Sequence, residues 1–268
     1  MGCYKARERS TVIETFLLLL AGHLLGDFVF QSDALIARKQ TLRGLADHVA
    51  IVTVLTLLML APTRLSILGP VAIMAASHFA MDWLKVHRLG DRLWAFGLDQ
   101  AVHIAVLVGL AVAWPAMASQ SLWGLQPSPV QVQIYAALAV LCGGVVAVWV
   151  GGVVIKKLVE PLSPAGRAAN TLLTTGVASG PIVGMPNAGK YIGWLERGLT
   201  LTFILIGHPE GVGFLLAAKS ILRFRDVQDQ NDRHQAEYII IGTFLSFGWA
   251  LAVALATQAA VLHWLPKG

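Results

Sequence analysis

Charged residues are scarce in this chain of 268 residues, where Asp, Glu, Lys and Arg together make up 13%. A soluble domain contains about 25% of such residues, so the composition excludes an ordinary water-exposed globular fold. Hydrophobic residues make up 56% of the sequence, and its mean hydropathy is +0.67. The sequence therefore predicts an all-α integral membrane protein.

Cysteine is almost absent, since only Cys3 and Cys142 occur, far apart in sequence. Neither a disulfide framework nor a thiolate metal site is indicated.

A phosphate-binding motif is present but incomplete. The segment 184–190 fits the first seven positions of a P-loop, but Tyr191 stands where Ser or Thr is required. We therefore expect no nucleotide partner. The net charge of +5 is spread through the loops, so we expect no nucleic-acid partner either.

Apolar runs follow one another along the whole chain, and most are long enough to cross about 30 Å of hydrocarbon as a helix. They lie at 11–31, 47–62, 65–84, 99–118, 133–155, 190–207, 211–224 and 236–264. Because the run 211–224 is short, we predict seven or eight transmembrane helices. Residues 1–118 are expected to form a four-helix bundle, and residues 119–268 the C-terminal helices of the same folded membrane unit. Within the latter, the segment 170–189 is rich in Gly and Pro and is expected to be irregular and cytoplasmic.

Lysine and arginine follow the odd-numbered runs, whereas the loops after the even-numbered runs are nearly uncharged. The positive-inside rule places the basic loops in the cytoplasm and, if all eight runs span, both termini outside. We therefore predict a multi-pass membrane protein whose basic loops face the cytoplasm. The basic residues that carry this orientation are Arg38, Lys39, Arg43, Lys85, Arg88, Arg92, Lys156, Lys157, Arg167, Arg223, Arg225 and Arg233.

Each of the first four helices carries an aspartate and a histidine near one end. In three of the pairs the two residues are four positions apart, which places both side chains on one helix face. By the order of the loops, all four pairs meet at the cytoplasmic side of the membrane. Imidazole and carboxylate groups converging from four helices predict a site for one or two divalent metal ions. The pairs are His23 with Asp27, Asp47 with His48, His78 with Asp82, and Asp99 with His103.

All eight of these residues are predicted as metal ligands, and His48 serves either as a ligand or as a general base. Mixed nitrogen and oxygen donors favour zinc, with manganese or iron as alternatives. Lys85 lies one turn after Asp82 and either meets a negative charge in catalysis or is an interfacial lysine. Asp47 and Asp99, taken singly, are equally well explained as helix N-caps. An ionisable group at the centre of a membrane helix costs about 2.5–3.5 kcal/mol, so four pairs at one depth favour the metal site.

Further polar residues fall into two groups. Gln31 and Gln100 lie next to the pairs and are expected to orient ligands or bind substrate. A second set in the last third of the chain is interpreted either as structural salt bridges or as a receptor for the anionic part of a substrate. This second set consists of Lys190, Glu196, Arg197, Lys219, Arg223 and Glu237.

These motifs together resemble the bacterial membrane proteins of the Domain of Unknown Function 3307 family. The resemblance rests on His23-x-x-x-Asp27-Phe28-x-x-Gln31, Asp47-His48, His78-x-x-x-Asp82-x-x-Lys85 and Asp99-Gln100-x-x-His103. The stretch 189–197, with Ala218-Lys219-Ser220 and Glu237-Tyr238, is similar to the C-terminal part of longer members. The resemblance implies a location in the bacterial inner membrane, but no particular reaction. A more distant likeness, in topology and in the use of His and Asp, is to membrane-bound metal-dependent hydrolases.

The leading functional hypothesis is metal-dependent hydrolysis of a lipid-linked or membrane-presented ester, and a phosphoester in particular, at the cytoplasmic interface. A divalent-metal transporter would use the same groups as an ion pathway, and a di-iron oxygenase would use the same donors, although helical di-iron bundles favour Glu. A structural scaffold with a metal or polar cluster is the fourth alternative. The expected partner is a membrane lipid or a lipid-linked substrate, and a homo-oligomer is left open.

Overall fold

The structure, a computed structural model, describes residues 2–162, 188–227 and 233–264. These residues are almost entirely helical and contain no β-strand. The α-helices are α1 (Gly2–Leu24), α2 (Asp33–Arg38), α3 (Leu42–Leu60), α4 (Leu68–Leu84), α5 (Leu93–Ala113), α6 (Ser128–Val145), α7 (Gly151–Val159), α8 (Ala188–Leu205), α9 (Glu210–Val227) and α10 (Arg233–Trp264). Single π-helical turns lie at Leu25–Val29, Lys85–Leu89 and Val146–Val150.

Six helical stretches within the described residues are long and apolar enough to cross a membrane. They are Thr11–Val29, Leu42–Leu60, Leu65–Leu89, Leu93–Ala113, Ser128–Leu162 and Ile240–Trp264. The chain is therefore a multi-pass helical membrane protein, which confirms the fold class predicted from composition. The runs 190–207 and 211–224 correspond to α8 and α9, which carry more charged residues and are not among these six. The count of seven or eight spans stays a prediction.

The chain divides into two compact units. The first unit contains Met1–Val145 together with Ala259–Gly268, and the second contains Val146–Gln258. Helix α6 belongs to the first unit because it packs against α1, although the sequence places it with the C-terminal helices. Most of the Gly- and Pro-rich segment 170–189 lies outside the described residues.

Helix α1 is the central helix of the first unit and packs against α3, α5 and α6. Helix α4 completes the bundle by packing against α3 and α5. The apolar core fills the half of this bundle that is remote from the His and Asp pairs. Its buried side chains include Leu18, Leu19, Val52, Leu60, Ile67, Val71, Met74, Leu107, Leu110 and Tyr135. This core holds the four helices in register, so that their other ends can converge.

Two glycines bring α1 unusually close to α3. A Cβ atom placed on Gly22 would lie 2.5 Å from the Cα atom of Thr56, and one on Gly26 would lie 2.7 Å from Cγ2 of Val52. Both distances are far below a van der Waals contact, so only glycine fits at these positions. Small residues allow helix backbones to approach closely in a membrane, where packing drives association. The close approach carries the end of α1 towards α3.

The N-terminal ends of α3 and α5 lie earlier in the chain than the apolar runs predicted. The hydroxyl of Thr41 caps α3 by accepting a hydrogen bond from the amide of Gly44 at 3.1 Å, which is the usual role of an N-cap threonine. Because α3 begins at Leu42 and α5 at Leu93, Asp47 and Asp99 lie in the second turn of their helices. The interpretation of these two aspartates as N-caps is therefore wrong.

The second unit has its own small core, formed by Ala147, Leu201, Ile204 and Ala254. Its π-helical turn at Val146–Val150 has backbone carbonyls that bind side chains from other helices. The indole of Trp249 donates to the carbonyl of Val146 at 3.0 Å, and the guanidinium of Arg197 donates to that of Val148 at 2.9 Å. These bonds satisfy backbone groups in an apolar environment, which is a requirement of any membrane-embedded helix.

Candidate metal centre

Seven of the eight predicted ligands come together in the first unit, at one end of the bundle. Their relative solvent exposures lie between 0% and 8%, although all seven are polar. Histidine and aspartate are rarely buried to this degree unless they are paired or bind a metal ion. We call these residues the His/Asp cluster: His23 on α1, Asp27 on the following π-helical turn, His48 on α3, His78 and Asp82 on α4, and Asp99 and His103 on α5.

Four donor atoms within the cluster form a first set. The Nε2 atoms of His48 and His78 lie 3.2 Å apart, and Oδ1 of Asp27 lies 3.3 Å from the former and 3.2 Å from the latter. Oδ2 of Asp82 lies 3.3 Å from Nε2 of His48 and 3.8 Å from that of His78. Two nitrogen and two oxygen donors thus surround one point between α1, α3 and α4.

A second set uses the other oxygen of Asp82. Its Oδ1 lies 3.6 Å from Nε2 of His103, and Oδ1 of Asp99 lies 3.3 Å from the same nitrogen. The ligand atoms of these three residues all lie within 4.8 Å of one another. Asp82 therefore faces one donor set with each of its oxygens.

His23 extends the cluster towards α5. Its Nδ1 atom lies 3.8 Å from Oδ2 of Asp27, and its Nε2 atom lies 3.4 Å from Oε1 of Gln100. His23, Asp27 and His78 form a further group whose ligand atoms lie within 4.8 Å of one another. The rings of His78 and His103 stack with their centroids 4.2 Å apart, which links the two donor sets.

The spacing of these atoms fits a metal ion. Donors about 2.0–2.2 Å from zinc, at tetrahedral or octahedral angles, lie about 2.9–3.5 Å from one another. The contacts of the first set are mostly in this range. In addition, three buried atoms of these sets make no hydrogen bond of good geometry within the described part of the chain: Asp27 Oδ1, Asp99 Oδ1 and His103 Nε2. Buried polar atoms are normally satisfied, so this excess of lone pairs matches the requirement of a cation.

Two lysines lie at the boundary between the cluster and solvent. Nζ of Lys39 donates to Oδ2 of Asp82 at 2.9 Å, and Nζ of Lys85 donates to Oδ2 of Asp99 at 2.5 Å. The lysine side chains are 12% and 23% exposed, respectively. Lys85 was among the predicted site residues, whereas Lys39 was considered only as a basic loop residue. It follows α2 in the connection to α3, and its distance along the chain from Asp82 gives no sequence signal.

Asp47 is the predicted ligand that the structure does not bring into the cluster. Its carboxylate is about half exposed and accepts a hydrogen bond from Arg38 at 2.7 Å. Consecutive residues of a helix point about 100° apart, so Asp47 and His48 cannot both face the bundle. His48 is fully buried, and Asp47 consequently points away from the site. The assignment of Asp47 as a ligand is corrected on this ground.

The variant Asp47→Asn is expected to bind as much metal as the wild-type protein, because it changes only the exposed contact with Arg38. Surface ion pairs of this kind contribute about 0–1 kcal/mol, so we expect little change in stability either. Metal content by mass spectrometry and thermal unfolding in detergent would check both expectations. Loss of metal from Asp47→Asn would show that the carboxylate reaches the site.

The predicted amides lie where the sequence places them. Gln100 donates to Oδ2 of Asp99 at 3.1 Å and contacts His23, so it bridges two cluster residues. Gln31 donates to the backbone carbonyl of Asp27 at 3.1 Å, and its Oε1 is buried without a hydrogen-bond partner in the described residues. Both amides are partly exposed; Gln100 contacts the carboxylate of Asp99, whereas Gln31 contacts the backbone of Asp27.

The second polar set belongs to the second unit. Glu196 and Lys219 form a salt bridge at 2.6 Å, as the structural interpretation predicts. Arg197 is buried and binds the carbonyl of Val148 and the hydroxyl of Ser246, so its described hydrogen bonds go to neutral groups. Three further members complete the set: the ammonium of Lys190 lies 5.1 Å from the ring centroid of Trp194, Glu237 is exposed, and the side chain of Arg223 lies outside the described residues. A role of these residues in substrate binding stays a prediction.

Fold and site together define a multi-pass helical membrane protein with a buried His/Asp cluster. Residues 15–126 match the model of a family described as protein of unknown function (DUF3307), so this part of the chain is similar to the members of that family. The matched stretch contains the whole cluster and both lysines. No curated protein and no solved structure matches the chain. Because the family carries no assigned activity, the function has to be argued from the geometry of the site.

Proposed function

We propose that this chain is a metal-dependent membrane hydrolase that cleaves a lipid-linked or membrane-presented ester. The observation that carries the proposal is the position of Asp82 between two donor sets. A carboxylate with one oxygen towards each set is the arrangement that two-metal hydrolases use to hold a pair of ions. The first set would be completed by Asp27, His48 and His78, and the second by Asp99 and His103. Zinc suits this donor chemistry, and manganese and iron are the alternatives.

Bound divalent ions would lower the pKa of a water molecule and polarise the scissile ester. The residues of the chain determine which carboxylate oxygens face the position where the ions would bind. Oδ2 of Asp99 accepts hydrogen bonds from Lys85 and Gln100, which leaves Oδ1 directed to His103. Groups that orient the ligands in this way commonly change metal affinity 10–100-fold when they are removed. His48 is assigned as a ligand because its Nε2 atom lies within the first set.

The surroundings of the cluster support a substrate presented by the membrane. Large apolar side chains stand exposed on the segments that carry the ligands: Phe30 is 55% exposed, Trp83 38% and Trp94 53%. Phe30 follows the turn that holds Asp27, and Trp83 is adjacent to Asp82. Exposed aromatic residues near helix ends are typical of the membrane–water interface. A site at this depth favours chemistry on a headgroup over transport, since transporter sites lie near the midplane.

The location proposed for the site is the cytoplasmic face of the bacterial inner membrane. The support is the distribution of basic residues, because Arg38 and Lys39 lie between the first two spans and Arg92 lies between the next two, with Arg43 and Arg88 at the adjoining span ends. Under the positive-inside rule these segments are cytoplasmic. The expected substrate therefore reaches the site from the inner leaflet.

The test is ester hydrolysis by detergent-purified protein in mixed micelles, with p-nitrophenyl phosphate, bis(p-nitrophenyl) phosphate and p-nitrophenyl butyrate as probes. We expect hydrolysis that is removed by a chelator, restored by zinc or manganese, and at least about 100-fold slower in Asp99→Asn. Asp47→Asn is the matched control, since it changes an aspartate outside the cluster. Equal rates in the wild type and Asp99→Asn would contradict the proposal.

A further inference from the structure

Lys39 and Lys85 each bind an aspartate of the second donor set, and the oxygen that Lys39 binds, Oδ2 of Asp82, is also a donor of the first set. Each ammonium binds Oδ2 of an aspartate whose Oδ1 lies near Nε2 of His103. Lys39 lies in the connection between the first two spans, and Lys85 lies near the end of the span Leu65–Leu89, so neither is at the centre of a span. They are also more exposed than any member of the His/Asp cluster. The two lysines therefore lie at the edge of the cluster, where part of each side chain is exposed.

The charges of this assembly decide which substrates it can accept. Metal-binding histidines are neutral, so the cluster contributes three negative charges, from Asp27, Asp82 and Asp99, and the lysines contribute two positive ones. One divalent ion turns the remaining single negative charge into a positive one, and a second ion makes the centre strongly positive. A buried positive centre with ammonium groups at its boundary attracts anions and repels cations.

The lysines also have hydrogen-bonding capacity for an anion. An ammonium group has three N–H donors, and the contact of Lys39 with Asp82 uses one of them, as does the contact of Lys85 with Asp99. A phosphate oxygen that approaches the second donor set would meet these donors before it reaches the ligands. Charge-assisted hydrogen bonds of this kind are about twice as strong as neutral ones.

We propose that Lys39 and Lys85 are the anion-recognition residues of this centre, and that its substrate carries a phosphate group at or next to the bond that is cleaved. The inference rests on the proposed hydrolase function and narrows its ester class. A neutral carboxylic ester has no group that would use the two ammonium ions. The chemistry fits the phosphate of a lipid headgroup, of a lipid-linked intermediate, or free inorganic phosphate as a product.

The test is calorimetric titration of inorganic phosphate into the metal-loaded and the metal-free protein in detergent. We expect phosphate to bind the loaded wild type, and Lys39→Gln and Lys85→Gln each to weaken binding about tenfold, as the loss of one charge-assisted contact predicts. Metal content, measured on the same samples, should not change. Lys156→Gln is the matched control, because Lys156 is an exposed lysine on α7 in the second unit.

Several results would overturn the inference. The first is that phosphate does not bind to the metal-loaded wild type, and the second is that both lysine variants bind phosphate with unchanged affinity. The third is that the lysine variants lose metal together with phosphate binding, because the lysines would then only support the aspartates. Failure of the hydrolase proposal gives a different result. If the protein takes up no metal but still binds phosphate through Lys39 and Lys85, the result supports anion recognition and contradicts the proposed hydrolase function. Titration with vesicles containing phosphatidic acid then distinguishes a lipid phosphate from the free anion.

Discussion

Asp82→Asn is expected to empty both donor sets at once. The substitution keeps the size of the side chain but removes the charge that lies between His48 at 3.3 Å and His103 at 3.6 Å. Loss of a partner that merely orients a ligand lowers metal affinity about 10–100-fold, so loss of the shared ligand itself should exceed this. Metal content and hydrolysis should both fall to background. Each can be measured on protein purified in parallel with the wild type.

The variant must still be inserted and folded for this result to be informative. Lys39 loses its partner in Asp82→Asn, but its long side chain lies near the boundary of the site and can turn its ammonium group to water. A single symmetric peak in size-exclusion chromatography would show that the bundle is intact. Asp47→Asn, purified in the same way, controls for the loss of an aspartate. Wild-type metal content in Asp82→Asn would contradict a shared ligand.

Gly22→Ala is expected to destabilise the first unit strongly. The new Cβ would lie 2.5 Å from the Cα atom and 2.6 Å from the hydroxyl of Thr56, so the helices themselves must move apart. Overpacking of this kind costs about 1–3 kcal/mol and sometimes more. Separation of α1 from α3 would also draw Asp27 away from His48, so metal content should fall together with stability.

Gly109→Ala is the control for this prediction. Gly109 is exposed on α5, and a Cβ atom there meets no atom within 4 Å. Alanine is favoured over glycine in a helix by roughly 0.5–1 kcal/mol, so this variant should be unchanged or slightly stabilised. Thermal unfolding in detergent, followed by size-exclusion chromatography, compares the two variants. Equal melting temperatures for Gly22→Ala and Gly109→Ala would refute the role of the close helix contact.

The spacing of the pairs made most of the site predictable from the sequence. Four residues separate His23 from Asp27, His78 from Asp82, and Asp99 from His103, and a helix places such residues on one face whatever surrounds it. Convergence followed from the alternation of basic and uncharged loops. The fold class followed from composition alone, since so few charges are incompatible with a soluble domain.

The sequence does not show in the same way which side of α3 faces the bundle. In a soluble helix the apolar face marks the core, but a membrane helix is apolar towards lipid as well as towards its neighbours. Val54 and Leu58 are exposed, whereas Val52 and Thr56 are buried, and hydropathy does not separate them. The sequence therefore gave no reason to prefer His48 over the adjacent Asp47.

Two further features depend on tertiary structure. The π-helical turn Leu25–Val29 sets the direction of Asp27, and π-helical turns are often found at functional sites, but its five residues have no distinctive pattern. Lys39 reaches Asp82 across 43 positions of sequence, so no local spacing could reveal the contact. Both features concern how the ends of the helices are connected, which composition and periodicity do not determine.

The central claim is that the His/Asp cluster binds metal, and metal content tests it most directly. Mass spectrometry of detergent-purified protein should find about one or two equivalents of zinc, manganese or iron in the wild type. His78→Ala, which removes a donor of the first set, should lose them, and Asp47→Asn should keep them. Absence of bound metal from the wild type, even after zinc, manganese and iron are added back, would contradict a metal site and show that the cluster is a polar network.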